Sequence, residues 1–283
     1  MALKVYVDPG HGGSDPGSSG NGLVEKDINL AIGLKVGQHL ARCGFDVRFS
    51  RTTDVTKSLQ ARTDEANTWG ANGYVSVHCN AFTDPAANGF EVWHTIFTSQ
   101  STGDELARAI LKWLDQLTPL TNRGAKSKAN SSGQDYYHVI RETKMPAVIV
   151  ECGFLTNPND AAYLGSSAGQ AAIAEAIARG VCEWAGVAWV PAGGASSGDD
   201  TKLYRLKTGT FSNAASLAAA IQRVKDLFGW QTYEWAEGEY RNGGIWSPAY
   251  RIFTGTFQGR AAAEDAAERL RQATGWVVYV VEA

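Results

Sequence analysis

The stretch Lys4-Val5-Tyr6-Val7-Asp8-Pro9-Gly10-His11-Gly12-Gly13 constrains the fold of this 283-residue chain more than any other. Val5, Tyr6 and Val7 make a short apolar, β-prone run bounded by turn residues, which predicts a buried strand. Asp8-Pro9-Gly10 stops the ladder, because proline donates no backbone N–H and glycine tolerates conformations closed to other residues. His11 is thereby placed just past a strand's C-terminal end, where open α/β sheets have their ligand crevices. A lone histidine in a glycine-rich turn says little. Two later runs give it weight: Gly73-Tyr74-Val75-Ser76-Val77 ends on His78, and Ala147-Val148-Ile149-Val150 ends on Glu151.

Helical periodicity fills the intervals. Lys26 to Arg42 puts Ile28, Ala31, Ile32, Val36 and Leu40 on one face, with Glu25 at the N-terminal edge, where a carboxylate is electrostatically favoured. Further helices are expected at Ser58–Trp69, Asp104–Leu117, Asn157–Leu164 and Ala168–Trp184, and further strands at Phe45–Phe49, Phe90–Thr95 and Tyr136–Ile140. The polar segment Thr118–Gln134 reads as a functional or mobile surface loop. Strands alternating with helices imply an α/β fold, a mostly parallel twisted sheet flanked by helices.

Composition narrows the function. A net charge of −3 with no dense Lys/Arg stripe excludes a nucleic-acid footprint. No run approaches the length of a membrane span. The N-terminus enters a strand at once, so no secretory leader is expected and export would use another route. Four cysteines in this length do not make a disulfide framework. Cys79 and Cys152 each follow a residue of interest, and strand alternation turns such neighbours to the opposite face.

After residue 187 the character changes. Residues 188–200 are rich in Pro, Gly, Ser and Ala and read as a flexible linker between a first domain, 1–187, and a second, 201–283. The second domain repeats itself. Tyr204-Arg205-Leu206-Lys207-Thr208-Gly209-Thr210-Phe211 matches Tyr250-Arg251-Ile252-Phe253-Thr254-Gly255-Thr256-Phe257 at an offset of 46, and Gly229-Trp230 matches Gly275-Trp276 at the same offset. Two βαβ copies predict a small α+β, ferredoxin-like (βαββαβ) domain. Trp230 and Trp276 are expected in its core. Trp246 and Tyr240, in the unrepeated insert Glu237–Pro248, are the better candidates for stacking on sugar rings.

His11, Glu25 and His78 all fall at strand or helix ends that an α/β sheet gathers on one side. Two imidazoles and one carboxylate with an open fourth position suit a catalytic zinc ion, which lowers the pKa of bound water to about 7 and polarises a carbonyl. Glu151 is then placed to move a proton from water to a leaving nitrogen. His39, His94 and His138 read as structural or surface residues, with the last two as outside candidates for substrate contact.

Four ordered blocks carry a family resemblance: Asp8-Pro9-Gly10-His11-Gly12-Gly13, Glu25-Lys26-Asp27, Ser76-Val77-His78-Cys79-Asn80-Ala81 and Val150-Glu151-Cys152-Gly153-Phe154-Leu155-Thr156-Asn157. Together with Arg51, Arg62, Ala66-Asn67, Gly89-Phe90-Glu91-Val92 and Asn122-Arg123-Gly124, residues 1 to 187 resemble the zinc-dependent N-acetylmuramoyl-L-alanine amidases with a DPGHGG opening. The resemblance implies one Zn²⁺ per chain held by His11, Glu25 and His78, a catalytic Glu151, and substrate contacts from Asn80 and Arg62. The tail resembles the SPOR-type peptidoglycan-binding domain, which implies affinity for glycan strands stripped of stem peptides. The whole is similar to sporulation mother-cell wall amidases and to phage endolysins. Both comparisons imply synthesis in the cytoplasm without a signal peptide and action at the wall after release. Peptidoglycan is the expected partner, and the protein is expected to be a monomer.

Three readings follow at this stage. The leading one is hydrolysis of the amide between the lactyl group of N-acetylmuramic acid and L-alanine. A zinc peptidase or deacetylase acting on the same polymer shares fold and metal, because function lives in the site rather than the scaffold. A non-catalytic wall-binding regulator is the third, and the intact His11, Glu25, His78 and Glu151 speak against it.

Overall fold

The chain begins with β1 (Lys4–Pro9), a short hairpin of β2 (Ser19–Gly20) and β3 (Leu23–Val24), then α1 (Glu25–Arg42), β4 (Asp46–Phe49), α2 (Leu59–Trp69) and β5 (Gly73–Asn80). It continues through β6 (Phe90–Trp93), α3 (Thr102–Leu117), β7 (Asn122–Lys126), α4 (His138–Arg141), β8 (Ala147–Phe154), α5 (Pro158–Gly165) and α6 (Ser167–Trp184). This computed structural model describes residues 2–97, 102–191, 202–209, 211, 213–241, 245–258 and 260–283. The chain divides into two compact units, Met1–Trp189 and Val190–Ala283. Most of the expected linker, 192–200, lies outside the described residues.

In the first unit six strands form one sheet in the order β4-β1-β5-β8-β6-β7. β4, β1, β5 and β8 run parallel, while β6 is antiparallel to β8 and carries β7 parallel to itself. Alternation along the strands gives the sheet two distinct faces. Val5, Val7, Val75, Val77, Val148 and Val150 are fully buried on one side, and α1 and α3 both pack on α6. Gly180 on α6 permits the closest approach there, since an added Cβ would stand 2.5 Å from the Ile110 backbone. On the other side Tyr6, Tyr74 and Ile149 join Ala66 of α2 and Val139 and Ile140 of α4 in a second cluster. That face changes character along the strands, from Tyr6, Tyr74 and Ile149 to Asp8, Ser76, His78 and Glu151. The polar end is where the chemistry collects.

Capping explains several boundaries. Ser58 Oγ accepts from Ala61 N at the start of α2, which ends on a left-handed Gly70. Asn157 accepts from the amides of Asn159 and Asp160 ahead of Pro158, fixing the start of α5.

Two expectations are corrected. Tyr136–Ile140 is not a strand: the amides of Arg141 and Glu142 donate to the carbonyls of Tyr137 and His138, closing the helical turn α4. Val139 and Ile140 are both buried, which adjacent positions on a half-buried strand do not manage. Thr118–Gln134 is not wholly loop. Its residues Asn122–Lys126 form the edge strand β7, polar because only one of its sides pairs with a neighbour.

The second unit comprises β9 (Leu203–Thr208), α7 (Ala214–Phe228), β10 (Thr232–Arg241), β11 (Ile245–Thr254), β12 (Phe257–Gln258), α8 (Arg260–Thr274) and β13 (Val278–Glu282). β11, the short β12 and β13 all run antiparallel to β9, and β10 is antiparallel to β11. The repeat becomes visible as paired bonds. Ile252 N donates to Thr208 Oγ1 at 3.0 Å, and Leu206 N to Thr254 Oγ1 at 3.1 Å. Gly209 N donates to Val277 O, and Gly255 N to Gln231 O. Phe211 meets Trp276 edge-on, as Phe257 meets Trp230. The two tryptophans thus pack against the core of this unit. Within the insert, Glu237–Arg241 lengthens β10 and Ile245–Pro248 lengthens β11, which sets Tyr240 opposite Trp246 in register. The side chains of those two residues lie outside what is described.

Candidate metal centre and active site

Glu25, the first residue of α1, is where the two histidines meet. Its Oε1 lies 3.2 Å from His11 Nε2 and 3.0 Å from His78 Nδ1, and ligand atoms of all three residues lie within 4.8 Å of one another. Backbone and side-chain donors fix the carboxylate: Ser18 N on Oε2, Cys79 N and Asn29 Nδ2 on Oε1. Two glycines keep the space open. A Cβ at Gly10 would fall 2.2 Å from the His78 ring, and one at Gly17 would fall 2.6 Å from Glu25 Oε2.

His11 itself has a left-handed backbone, with φ of 61°, a conformation that costs a non-glycine residue energy and needs support. Arg51 and Arg62 supply it. Arg51 donates to the carbonyls of Pro9, Gly10 and Lys26. Arg62 donates to the carbonyls of Pro9 and His11 and to the Asp8 carboxylate. Both side chains are buried. The expectation that Arg62 touches substrate therefore gives way: its guanidinium is turned inward and shapes the loop that carries His11. Asp8, which also accepts from Tyr74 and Ser76, is held below the usual carboxylate range: burial pushes it up, but Arg62 and the hydroxyl donors prevail.

The electrostatics suit a cation. Burial raises and the imidazole partners lower the Glu25 pKa, and the partners prevail, so it is ionised at neutral pH. Burial pulls His11 down, but hydrogen bonds to Glu25 and Asp15 outweigh it and leave its pKa raised to about 9. Asp15 Oδ2 sits 2.8 Å from His11 Nδ1 and fixes the orientation of the ring.

Glu151 stands beside His78 in register across β5 and β8. Burial, above all, raises its pKa to about 7, with Glu25 and Glu91 adding to the rise and His78 opposing it. Its Oε2 is buried with no hydrogen-bond partner among the described residues, an expensive state outside a functional site. Asn80 is half-buried two residues beyond His78, with its Nδ2 on Glu91. Of the other histidines, His39 lies against Arg42 and Trp189, His94 faces Asp104, and His138 opens α4. Cys79 and Cys152 are buried. Sequence reasoning missed Asp15, Arg51 and Glu91 as parts of the site; only Arg51 and Glu91 fell within matched blocks, and nothing local marked what they hold.

The profile of the N-acetylmuramoyl-L-alanine amidase family matches residues 5–183. The chain belongs to that family. Amidase CwlM of Bacillus licheniformis is 38% identical over 225 residues, covering 77% of this chain and 80% of its own length. The sporulation-specific amidase of Bacillus subtilis is 36% identical over 228 residues with the same coverages. Among solved structures, the catalytic domain of the amidase CwlV from Bacillus (Paenibacillus) polymyxa var. colistinus superposes with a TM-score of 0.60 at 34% identity, covering 66% of this chain and all of that one. The family's reaction, hydrolysis of an amide in peptidoglycan, is the activity of this chain. Among the described residues no helix is long and apolar enough to cross a membrane.

Proposed function

We propose that this amidase holds one zinc ion with His11, Glu25 and His78 and moves protons with Glu151 while it cleaves the bond between the muramic-acid lactyl group and L-alanine. The carrying observation is the convergence of His11 Nε2, His78 Nδ1 and Glu25 Oε1. A mixed nitrogen and oxygen donor set with one buried, ionised carboxylate fits zinc, and Gly10 and Gly17 leave room that any side chain would fill. When bound, zinc supplies Lewis acidity for the scissile carbonyl and lowers the pKa of water. Glu151, with a pKa of about 7 before metal is added, accepts a proton from the attacking water and returns it to the departing nitrogen. Asp15 orients His11, and Arg51 and Arg62 hold the strained loop on which His11 rides. Zinc analysis of His11→Ala tests the assignment: metal content should fall well below one per chain, and full occupancy would refute it.

The second unit, on this reading, is a ferredoxin-like, SPOR-type module that binds glycan strands, with Tyr240 and Trp246 as sugar-stacking residues. Its βαββαβ element order, its paired hydrogen bonds and its antiparallel sheet support that view. A Glu151→Gln chain that binds sacculi equally with and without the further change Trp246→Ala would remove Trp246 from that role.

A further inference from the structure

Glu91 is a buried carboxylate that the mechanism above leaves without a task. It lies on β6 directly opposite Glu151 of β8, so the two side chains leave the sheet on the same face as close neighbours. Placing two acids together away from water is costly unless cations compensate. Glu91 has two neutral donors and two cations around it. Asn80 Nδ2 and Trp93 Nε1 donate to its Oε1 at 3.2 and 3.1 Å, Arg123 Nε to Oε2 at 2.8 Å, and Lys126 Nζ stands 3.6 Å away. Arg123 and Lys126 together place two cations beside the two in-register acids, Glu91 and Glu151.

Both cations have 34% of the side chain exposed, and Arg123 is the one whose orientation further contacts fix. Its Nη1 donates to Asn88 O at 3.2 Å, and its guanidinium lies over the Phe154 ring at 4.9 Å. The inner part of the fork is therefore fixed. Nη2 has no hydrogen-bond partner among the described residues, and 34% of the side chain is exposed. A guanidinium held from behind with free N–H groups in front is pre-organised for a carboxylate.

Distance selects which carboxylate. Arg123 is on β7, two strands from Glu151, roughly 10 Å across the sheet. Two extended residues of substrate span about 7 Å from the scissile bond, and a charge-assisted hydrogen bond covers about 3 Å more. The second residue of the stem peptide is a glutamate linked through its γ-carboxyl, so its α-carboxyl stands at that range as an acid or an amide. Beyond Arg123 the peptide has space: Asn88 also lines an open groove of about 590 Å³ with Leu120, Thr121, Asn157 and Tyr163.

We propose that Arg123, positioned by Glu91, binds the free α-carboxylate of the second stem residue and makes the enzyme prefer that acid to its carboxamide. The inference rests on the amidase reading. Its test uses the full-length, zinc-loaded chain and two synthetic muropeptides that differ only in that group, acid or amide. Both contain the same scissile amide, so cleavage of the carboxamide substrate by the unaltered enzyme reports on the amidase reading, while the ratio of the two reports on Arg123. The unaltered enzyme should favour the acid by at least about tenfold in kcat/KM. Arg123→Gln should lose that factor through KM on the acid and stay within about twofold on the amide, and Arg123→Lys should recover part of the preference. Glu91→Gln, which loosens the anchor, should shift the ratio in the same direction by less. An unaltered enzyme that cuts both equally, or an Arg123→Gln chain that loses both in proportion, overturns the proposal. Should Arg123→Gln not fold, the preference of the unaltered enzyme and its reduction in Arg123→Lys decide the matter.

Discussion

In Met1–Trp189 many of the buried polar side chains, Asp8, Glu25, Asn29, Arg51, Arg62, Ser76 and Glu91 among them, gather around one end of the main sheet. In Val190–Ala283 the buried polar side chains among the described residues are Thr208 and Thr254, which lie at repeat-related positions and bond across the two halves. The first arrangement opposes stability locally, since a left-handed histidine, adjacent acids and an unpartnered Glu151 oxygen are tolerated together. The second is built of bonds that serve only the fold. Polar groups buried without regard to symmetry, and gathered at strand ends, mark chemistry; polar groups buried as a matched pair mark architecture.

The sharpest way to break that contrast is Glu151→Gln. Loss of general acid–base help should lower turnover of a purified muropeptide by about a hundred- to ten-thousandfold. Stability should move the other way. An acid whose folded pKa lies above its unfolded value binds more protons when folded, so its ionisation destabilises the fold progressively as pH rises from about 4.5 to about 7. At pH 8 the metal-free Glu151→Gln chain should therefore melt no lower than the parent. A lower melting temperature together with retained turnover would reverse the roles assigned to this end of the sheet.

Arg62→Met probes the support beneath the site. It removes the partner of the buried Asp8, and breaking a buried pair from one side costs about 3–5 kcal/mol. Chemical denaturation should register that loss in the first unit, and zinc should bind more weakly because the His11 carbonyl has lost its donor. Unchanged stability and unchanged zinc affinity would return Arg62 to the role of a substrate contact.

The smallest effect belongs to the second unit. Thr208→Val leaves the Ile252 amide without its acceptor, a loss of about 1–3 kcal/mol. Amide exchange should accelerate in residues 203–283 and not before residue 190, and cleavage of a soluble muropeptide should be unaffected. Faster exchange throughout Met1–Trp189 would show that this threonine does more than hold the repeat together.

The main sheet was legible because its central strands are unbroken apolar runs, and Val5-Tyr6-Val7 or Ala147-Val148-Ile149-Val150 admit few other conformations. His11, His78 and Glu151 were legible for the same reason, as polar residues placed where such runs stop. β7 was not: Asn122-Arg123-Gly124-Ala125-Lys126 has no apolar alternation, and only pairing with β6 defines it as a strand. α4 was too short to show a period. Arg62 read as a contact residue because a guanidinium looks the same in sequence whether it meets solvent or a buried aspartate. Glu91 needed the antiparallel register of β6 and β8, which no local pattern encodes.

The reciprocal Thr208 and Thr254 bonds carry a consequence for symmetry. Each half of the second unit contributes the hydroxyl that the other half's buried amide requires, so neither half is complete alone. Two separate copies of a single βαβ segment could satisfy the same bonds by pairing about a twofold axis. The unit thus has the internal twofold pattern of such a pair held in a single chain. The strands that carry Tyr240 and Trp246 belong to an insert that interrupts this internal symmetry.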